Sequence, residues 1–377
     1  MTFAPATLRG TVLGLLLVLL AAACGTTKEG KRYTKDEATS LLKRLEVVSL
    51  ELGEFPVDGA SAVIDGDTIR VQGLPASLRL LAIDTEETFK KDHERQAFSA
   101  GWEQYKKKMR GSSARPTKMA TPLGEDAKVF AQSFFEDVHS VRLERDHPGE
   151  IRDFYNRDLA YIFVKKNGQW LNYNLECVRA GFSPYFVKYG RSRRFHKDFV
   201  EAEKQARAAQ LGIWKPGAMH YDDYDERLRW WQERESVITR FEKDAAASDH
   251  PEKFIALTRW DALLKLEQHL DSEVTLLGSV QETKFGDKGP AVAKLARNRT
   301  TTFDVVFFDR DVFLASGIQF KKGEYVQLRG LVSKYRDPGG KEHLQMQVTL
   351  PGQVLAPSSE LQNLLNAPAG PNTEEGE

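Results

Sequence analysis

A mainly β fold with helices (α+β), arranged as two β-rich units, is predicted for this chain by three observations. Short runs of strand formers separated by turn residues fill 63–83. Helical spacing recurs around them, as at Leu41, Leu42 and Leu45 and in FVEAEKQARAAQLGIW. From Val274 the apolar period changes to two, with VTLLGSVQETKF, TTFDVVFFDRD, GEYVQLRGLVSKYRD and KEHLQMQVTLPGQVL reading as four or five strands. A chain of 377 residues is long for one domain, which agrees with two units. With 54 Lys+Arg against 54 Asp+Glu, a uniformly basic coat is excluded, so nucleic-acid binding would have to come from local patches.

The first segment concerns location. MTFAPATLRGTVLGLLLVLLAAAC places Arg9 before an apolar run from Val12 to Leu20 and small residues ending at Cys24, the pattern of a cleaved secretory signal over 1–24. The run is short for a bilayer span, although a retained transmembrane anchor is the alternative. Ala21-Ala22-Ala23-Cys24-Gly25 resembles the bacterial lipoprotein signal, which implies lipidation of Cys24 and a membrane tether on the extracytoplasmic face, at the outer membrane or cell surface. Residues 25–44 then read as a tether. Cys177 would be the one remaining thiol, so no intramolecular disulfide is expected; in LNYNLECVRAGF it reads as buried packing.

A globular domain over 45–217 follows. VVSLELGEF reads as strand, and Asp65-Gly66-Asp67-Thr68 between Val63-Ile64 and Ile69-Arg70-Val71 reads as a tight turn, because glycine tolerates positive φ. The next strand, 78–83, ends at Asp84-Thr85-Glu86-Glu87. Carboxylates thus gather at strand ends in two places, and such clusters repel unless a cation or basic partner offsets them. Arg79 and Asp84 are an odd number of residues apart and would face opposite sides of a regular strand, so a bend or bulge between them is required.

VIDGDTIRV, LRLLAIDTEET and RDFYNRDLAYIFV, followed by the NYNLECVRAGF helix and a closing helix ending in Ile-Trp, resemble the staphylococcal nuclease (thermonuclease-like) family in order and separation. The resemblance implies a five-stranded OB-fold barrel with helices. It also implies Ca²⁺-dependent hydrolysis of phosphodiesters in DNA and RNA. Residue by residue, Glu87 takes the place of the general base that activates water, and Arg79 and Arg157 those of two phosphate-clamping arginines. Asp67, Asp84 and the backbone carbonyl of Thr85 would ligate Ca²⁺, with Asp65 holding metal-bound water. Oxygen-only donors suit Ca²⁺, and two forked guanidiniums suit a phosphate. Glu86 stands where the family has proline, placing a negative charge near the proposed metal. Asn156 stands where it has glycine, and asparagine tolerates the left-handed region.

Beyond the motifs, 89–123 exceeds the family's usual connection; a solvated insertion is preferred here over a substrate-guiding flap. PYFVKYGRSRRFHK interleaves aromatics with cations and, with Tyr155, Tyr185, Tyr189 and Lys188, is expected to contact single-stranded substrate. A helical linker is expected over 218–272. The strands over 273–357 resemble a second, OB-like barrel of the nucleic-acid-binding type, with Arg297, Arg299, Lys334, Tyr335 and Arg336 as candidate contacts; docking of this barrel on a protein is the alternative. An acidic tail, 358–377, is expected to be disordered. Two functions follow: a tethered, sugar-non-specific endonuclease acting on DNA and RNA, single strands preferred, with no obligate protein partner; or a non-catalytic binding scaffold.

Overall fold

The computed structural model describes residues 50–355, apart from 114, 287 and 288. The expected signal with Cys24, the tether and the acidic tail lie outside the described residues. Among the described residues no helix is long and apolar enough to cross a membrane.

In chain order the first unit contains β1 (Glu51–Pro56), β2 (Val63–Asp65), β3 (Thr68–Ile69), β4 (Leu78–Leu80), α1 (Asp92–Ser99), α2 (Trp102–Arg110), α3 (Pro122–Phe135), β5 (Ser140–Glu144), β6 (Leu159–Lys166), β7 (Gln169–Asn172), α4 (Tyr173–Arg179) and α5 (His196–Ala208). The strand order is β1-β5-β6-β4-β3-β2, with β7 on β6. β1 and β2 are two parts of one run, interrupted by a single 3₁₀ turn at Gly59–Ala62. That run pairs with β5 at one end and β3 at the other, so a five-stranded barrel closes. Alternation sets the interior: Ile69, Leu78, Leu80, Leu143, Ile162 and Val164 all point into one core. β6 is buried on both faces because α4 and α5 cover its outer side.

The second unit contains β8 (Phe254–Ala256), α7 (Ala262–Gln268), β9 (Glu273–Lys284), β10 (Ala291–Ala296), β11 (Thr302–Phe307), α8 (Arg310–Ser316), β12 (Tyr325–Arg336), β13 (Glu342–Gln347) and β14 (Val354–Leu355). β9-β10-β11-β13-β12 closes back onto β9, again a five-stranded ring. Counting strands within each ring, both barrels run 1-2-3-5-4-1, and both make their third-to-fifth pairing parallel (β4 with β6, β11 with β13).

The expected linker is integral to the packing. Its long helix, α6 (Tyr224–Ala247), buries Trp231, Arg234, Ile238 and Phe241. Ile238 and Phe241 share a cluster with Ala256, Leu277 and Tyr325 of the second unit. Arg234 is the polar rivet: Nε donates to the Lys188 carbonyl of the first unit at 3.3 Å, and Nη1 donates to the Gly323 carbonyl of the second.

Candidate active site

The Leu-Arg-Leu alternation of β4 sends Leu78 and Leu80 inward and leaves Arg79 at the barrel rim. Both ends of its guanidinium are occupied. Nη1 pairs with Asp67 Oδ2, while Nη2 lies 2.6 Å from Asp84 Oδ1 and donates to the Ile83 carbonyl at 3.1 Å. Two carboxylates from separate turns therefore meet on one cation. Burial alone would lower the pKa of Arg79, but the two carboxylates more than offset this and raise it.

The bend that this geometry requires is at Ala82, where φ is +62°. A non-glycine residue in that region costs on the order of 1–3 kcal/mol and persists only where its surroundings hold it. Here Asn174 Nδ2 donates to the Leu81 carbonyl at 2.7 Å, and Phe186 N donates to the Ala82 carbonyl at 3.0 Å. Phe186 also lies under Arg79, whose Cζ is 5.8 Å from the ring centroid.

Gly66 departs from the reading as a positive-φ turn residue; it is absent from the left-handed set. Its requirement is proximity. A Cβ there would stand 2.8 Å from Thr85 Cγ2 and 2.9 Å from Thr85 Oγ1, so glycine lets the Asp65–Asp67 turn press against the Asp84–Glu87 segment. Thr85 Oγ1 is buried without a hydrogen-bond partner.

Glu87, with a side chain 34% exposed, sits between two ammonium groups. Lys90 Nζ is 3.3 Å from Oε2 and also pairs with Asp65; Lys118 Nζ is 3.2 Å from Oε1 and 2.8 Å from Asp84 Oδ1. Burial pushes the Asp84 carboxyl up, but Lys118 and Arg79 pull it down to about 2. For Asp65 burial wins over Lys90, and its pKa is raised. Neither lysine was expected at the site. Their only sequence signal is the basic character of the long connection.

That connection is not the solvated insertion expected. α1 and α2 enclose Tyr105, fully buried, whose hydroxyl donates to the Ala120 carbonyl at 2.8 Å. Thr121 N donates to the Glu87 carbonyl at 3.0 Å, and this pins Lys118 beside the carboxylates. Glu86 is likewise elsewhere than expected: its carboxylate turns away from Asp84 and accepts from Thr121 Oγ1, from Tyr221 N at 2.7 Å and from the Tyr224 hydroxyl at 2.9 Å. Its carboxyl group therefore lies in the packing of α6 against the connection, turned away from the proposed metal.

Arg157 is held within its own turn. Nε lies 2.8 Å and Nη2 2.6 Å from Asp153 Oδ2, and Asn156 adopts the left-handed conformation anticipated for it, φ +66°. It makes no contact with Arg79. The β4–β6 register pairs Arg79 with Leu159, so Arg157 lies two residues before that pairing, in the turn that leads into β6. Tyr155 is 60% exposed beside it. Tyr185, expected to meet substrate, is instead buried, stacked on Phe199, with its hydroxyl accepting from Ser192 N at 2.8 Å. Tyr189 is exposed at the rim, edge-on to Phe186. Lys188 Nζ lies 4.2 Å from the Trp230 ring centroid, and burial, with Arg234 nearby, pushes its pKa down to about 8. Cys177 is a buried thiol with no disulfide partner among the described residues, and burial pushes its pKa up.

Fold and rim together define an OB-like barrel bearing an interlocked cluster of acidic and basic side chains where its strands end. Residues 77–216 match the sequence model of the family described as Staphylococcal nuclease homologue. Two uncharacterized proteins are similar over the same share of the chain. One, from Methanocaldococcus jannaschii, is 28% identical over 154 residues, 40% of this chain and 68% of its own length. The other, from Bacillus anthracis, is 30% identical over 152 residues, 40% of this chain and 56% of its own length.

A hard divalent cation is implied by that family. The donor chemistry fits: Asp67 and Asp84 offer buried carboxylate oxygens, and the unpartnered Thr85 hydroxyl is oriented within the same close-packed pair of segments. Among the described residues, however, no three ligating side chains are already gathered as an ion cage, since Arg79 and Lys118 hold the carboxylates.

Proposed function

We propose that this protein is a Ca²⁺-dependent, sugar-non-specific endonuclease of the thermonuclease type, acting on DNA and RNA outside the cytoplasm from a lipid-anchored position. The single observation that carries the reading is the meeting of Asp67 and Asp84 on the Arg79 guanidinium with Glu87 alongside. Asp67, Asp84 and Thr85 would hold the cation, which when bound supplies positive charge to polarise the scissile phosphate. Arg79 would present its fork to the phosphate oxygens, and Arg157, from the turn before β6, would supply the second guanidinium. Glu87 would accept the proton of the attacking water as its oxygen bonds to phosphorus and the P–O5′ bond breaks, the 5′-oxygen leaving as a hydroxyl with a proton from solvent and the phosphate staying on the 3′ side. Lys90 and Lys118 orient its carboxylate in the meantime. Asp65, buried and paired to Lys90, keeps that lysine in place.

The test is digestion of an end-labelled single strand by the protein lacking its first 24 residues, with Ca²⁺ and then with chelator. Cleavage that chelator abolishes, leaving 3′-phosphate ends, is the expected result, and Glu87→Gln should lower the rate roughly 10²–10⁴-fold. Undiminished cleavage by that variant, or none with any divalent cation, sinks the enzyme reading. The second reading, a non-catalytic nucleic-acid scaffold, is favoured by one observation: Asp65, Asp84 and Glu87 are each already paired with one or both of Lys90 and Lys118.

A further inference from the structure

Of the five cationic or aromatic candidates in the second barrel, three are already engaged. Lys334 pairs with Glu267, Arg336 pairs with Glu342, and Tyr335 stacks on His343. Arg297 and Arg299 differ: among the described residues no carboxylate pairs with either, and Arg297 Nε is buried without a hydrogen-bond partner. Both lie at the tip joining β10 to β11. That tip is well made, because Asn298 Oδ1 accepts from Thr300 N at 3.0 Å and Thr301 N at 2.9 Å. It is also joined directly to the first barrel. Arg299 N donates to the Phe154 carbonyl at 2.8 Å, within the turn that carries Tyr155 and Arg157. The exposed Tyr155 ring consequently has a guanidinium from each barrel beside it: Arg157 Cζ at 5.6 Å and Arg299 Cζ at 5.8 Å from its centroid.

We propose that this hairpin tip extends the nucleic-acid track of the first barrel, so that a single strand leaving Arg157 stacks on Tyr155 and passes its backbone to Arg299 and Arg297. An exposed aromatic face flanked by two guanidiniums, of which Arg299 has no carboxylate partner among the described residues, matches the alternation of base and phosphate along a single strand, and a duplex would not expose its bases to Tyr155. Burial alone, with no acidic neighbour, lowers the pKa of Arg297, which is the situation of a cation awaiting an anion. Double-ended contact of this kind makes affinity depend on strand length. A short oligonucleotide fills the rim of the first barrel, and a longer one also reaches the tip.

The inference rests on the nucleic-acid reading above, and the experiment separates the two. In a Glu87→Gln background, fluorescence anisotropy measures binding of labelled oligothymidylates of about 4 and about 20 nucleotides, lengths that bracket the usual OB-fold site. Arg299→Ala should weaken the longer strand about tenfold, leave the shorter unchanged, and reduce the salt dependence by about one phosphate contact; Arg299→Lys should recover part of the loss. Arg297→Ala, which leaves the Arg299–Phe154 backbone bond in place, should show the same length dependence, guarding against a variant that merely loosens the interface. Equal losses for both lengths, or none for the longer, overturn the extended track while leaving the first-barrel site standing. If the parent protein binds neither strand, the nucleic-acid reading itself fails.

Discussion

Lys118 Nζ stands 2.8 Å from Asp84 Oδ1, the same oxygen that lies 2.6 Å from Arg79 Nη2. One carboxylate oxygen thus serves two cations, one from β4 and one from the long connection after Glu87. A divalent ion binding through that oxygen would compete with the lysine. Lys118→Ala should therefore bind Ca²⁺ about tenfold more tightly by isothermal titration, a difference of about 1.4 kcal/mol. Unchanged or weaker affinity would mean that Lys118 does not compete for the site.

Lys188 offers a pH test. Burial under the Trp230 and Tyr189 rings is the main cause that opposes its charge, Arg234, Lys118 and Arg227 add to it, and Asp84 favours the charge; the outcome is a pKa of about 8. If it meets phosphate, single-strand affinity should decline as pH rises from 7 to 9, and Lys188→Arg should abolish that decline because arginine stays charged. The effect on stability has the opposite sign. A lysine whose folded pKa lies below its unfolded one opposes folding while protonated, and this opposition fades as pH rises above about 8. Lys188→Met should accordingly raise the melting temperature at pH 7 while weakening binding.

Glu86 is predicted to matter for stability and not for the chemistry. Its two oxygens accept from Thr121, Tyr221 and Tyr224, so Glu86→Ala leaves buried donors unpaired, at roughly 1–3 kcal/mol for each group. Glu86→Gln can keep the acceptor toward Tyr221 and Tyr224 while its amide donates to Thr121. Burial raises the Glu86 pKa despite these bonds. Such a group favours the folded state only while protonated, so it contributes a loss of stability as pH rises from the ordinary glutamate value toward the raised one. Melting temperatures of the glutamine variant across that range should lack this slope, and a slope identical to the parent's would refute the assignment.

Gly66→Ala places a methyl group within 3 Å of both Thr85 side-chain branches. Overpacking of this kind costs about 1–3 kcal/mol, and the displaced segment carries Asp84 and Glu87. The expected outcome is a lower melting temperature together with weaker Ca²⁺ binding in calorimetry. Gly73→Ala is the control for a glycine with open space around it; its own positive φ confines the comparison to Ca²⁺ affinity, which should not change.

Much of the first barrel was legible because its cues are local. The alternation at Leu78-Arg79-Leu80 specifies which way Arg79 points, and the spacing from Arg79 to Asp84 demanded a bend before Ala82 was seen to supply it. The second barrel was legible as strands of period two, and its closure follows from pairing β12 with both β9 and β13. The role of 89–123 was not legible. Polar, basic stretches look alike whether they face water or fold back on a site, and the burial of Tyr105 depends on residues from 119–123 and 213–224. Tyr185 misled for a related reason: a tyrosine between basic residues fits a groove or a core equally well, and Phe199 decides for the core.

Local pattern, then, determined the strands of both units and the strand ends where charge collects, and the resemblance to the staphylococcal nuclease family singled out Asp67, Arg79, Asp84, Glu87 and Arg157. Tertiary structure alone decided how those charges are balanced: which lysines reach Asp65, Asp84 and Glu87, where Glu86 turns, and that Arg299 comes to Tyr155. The physical reason is one of range. Side-chain alternation and turn chemistry act over a few residues, whereas an ion pair needs only proximity within about 4 Å, and proximity between residues far apart in sequence is set by the packing of the whole chain.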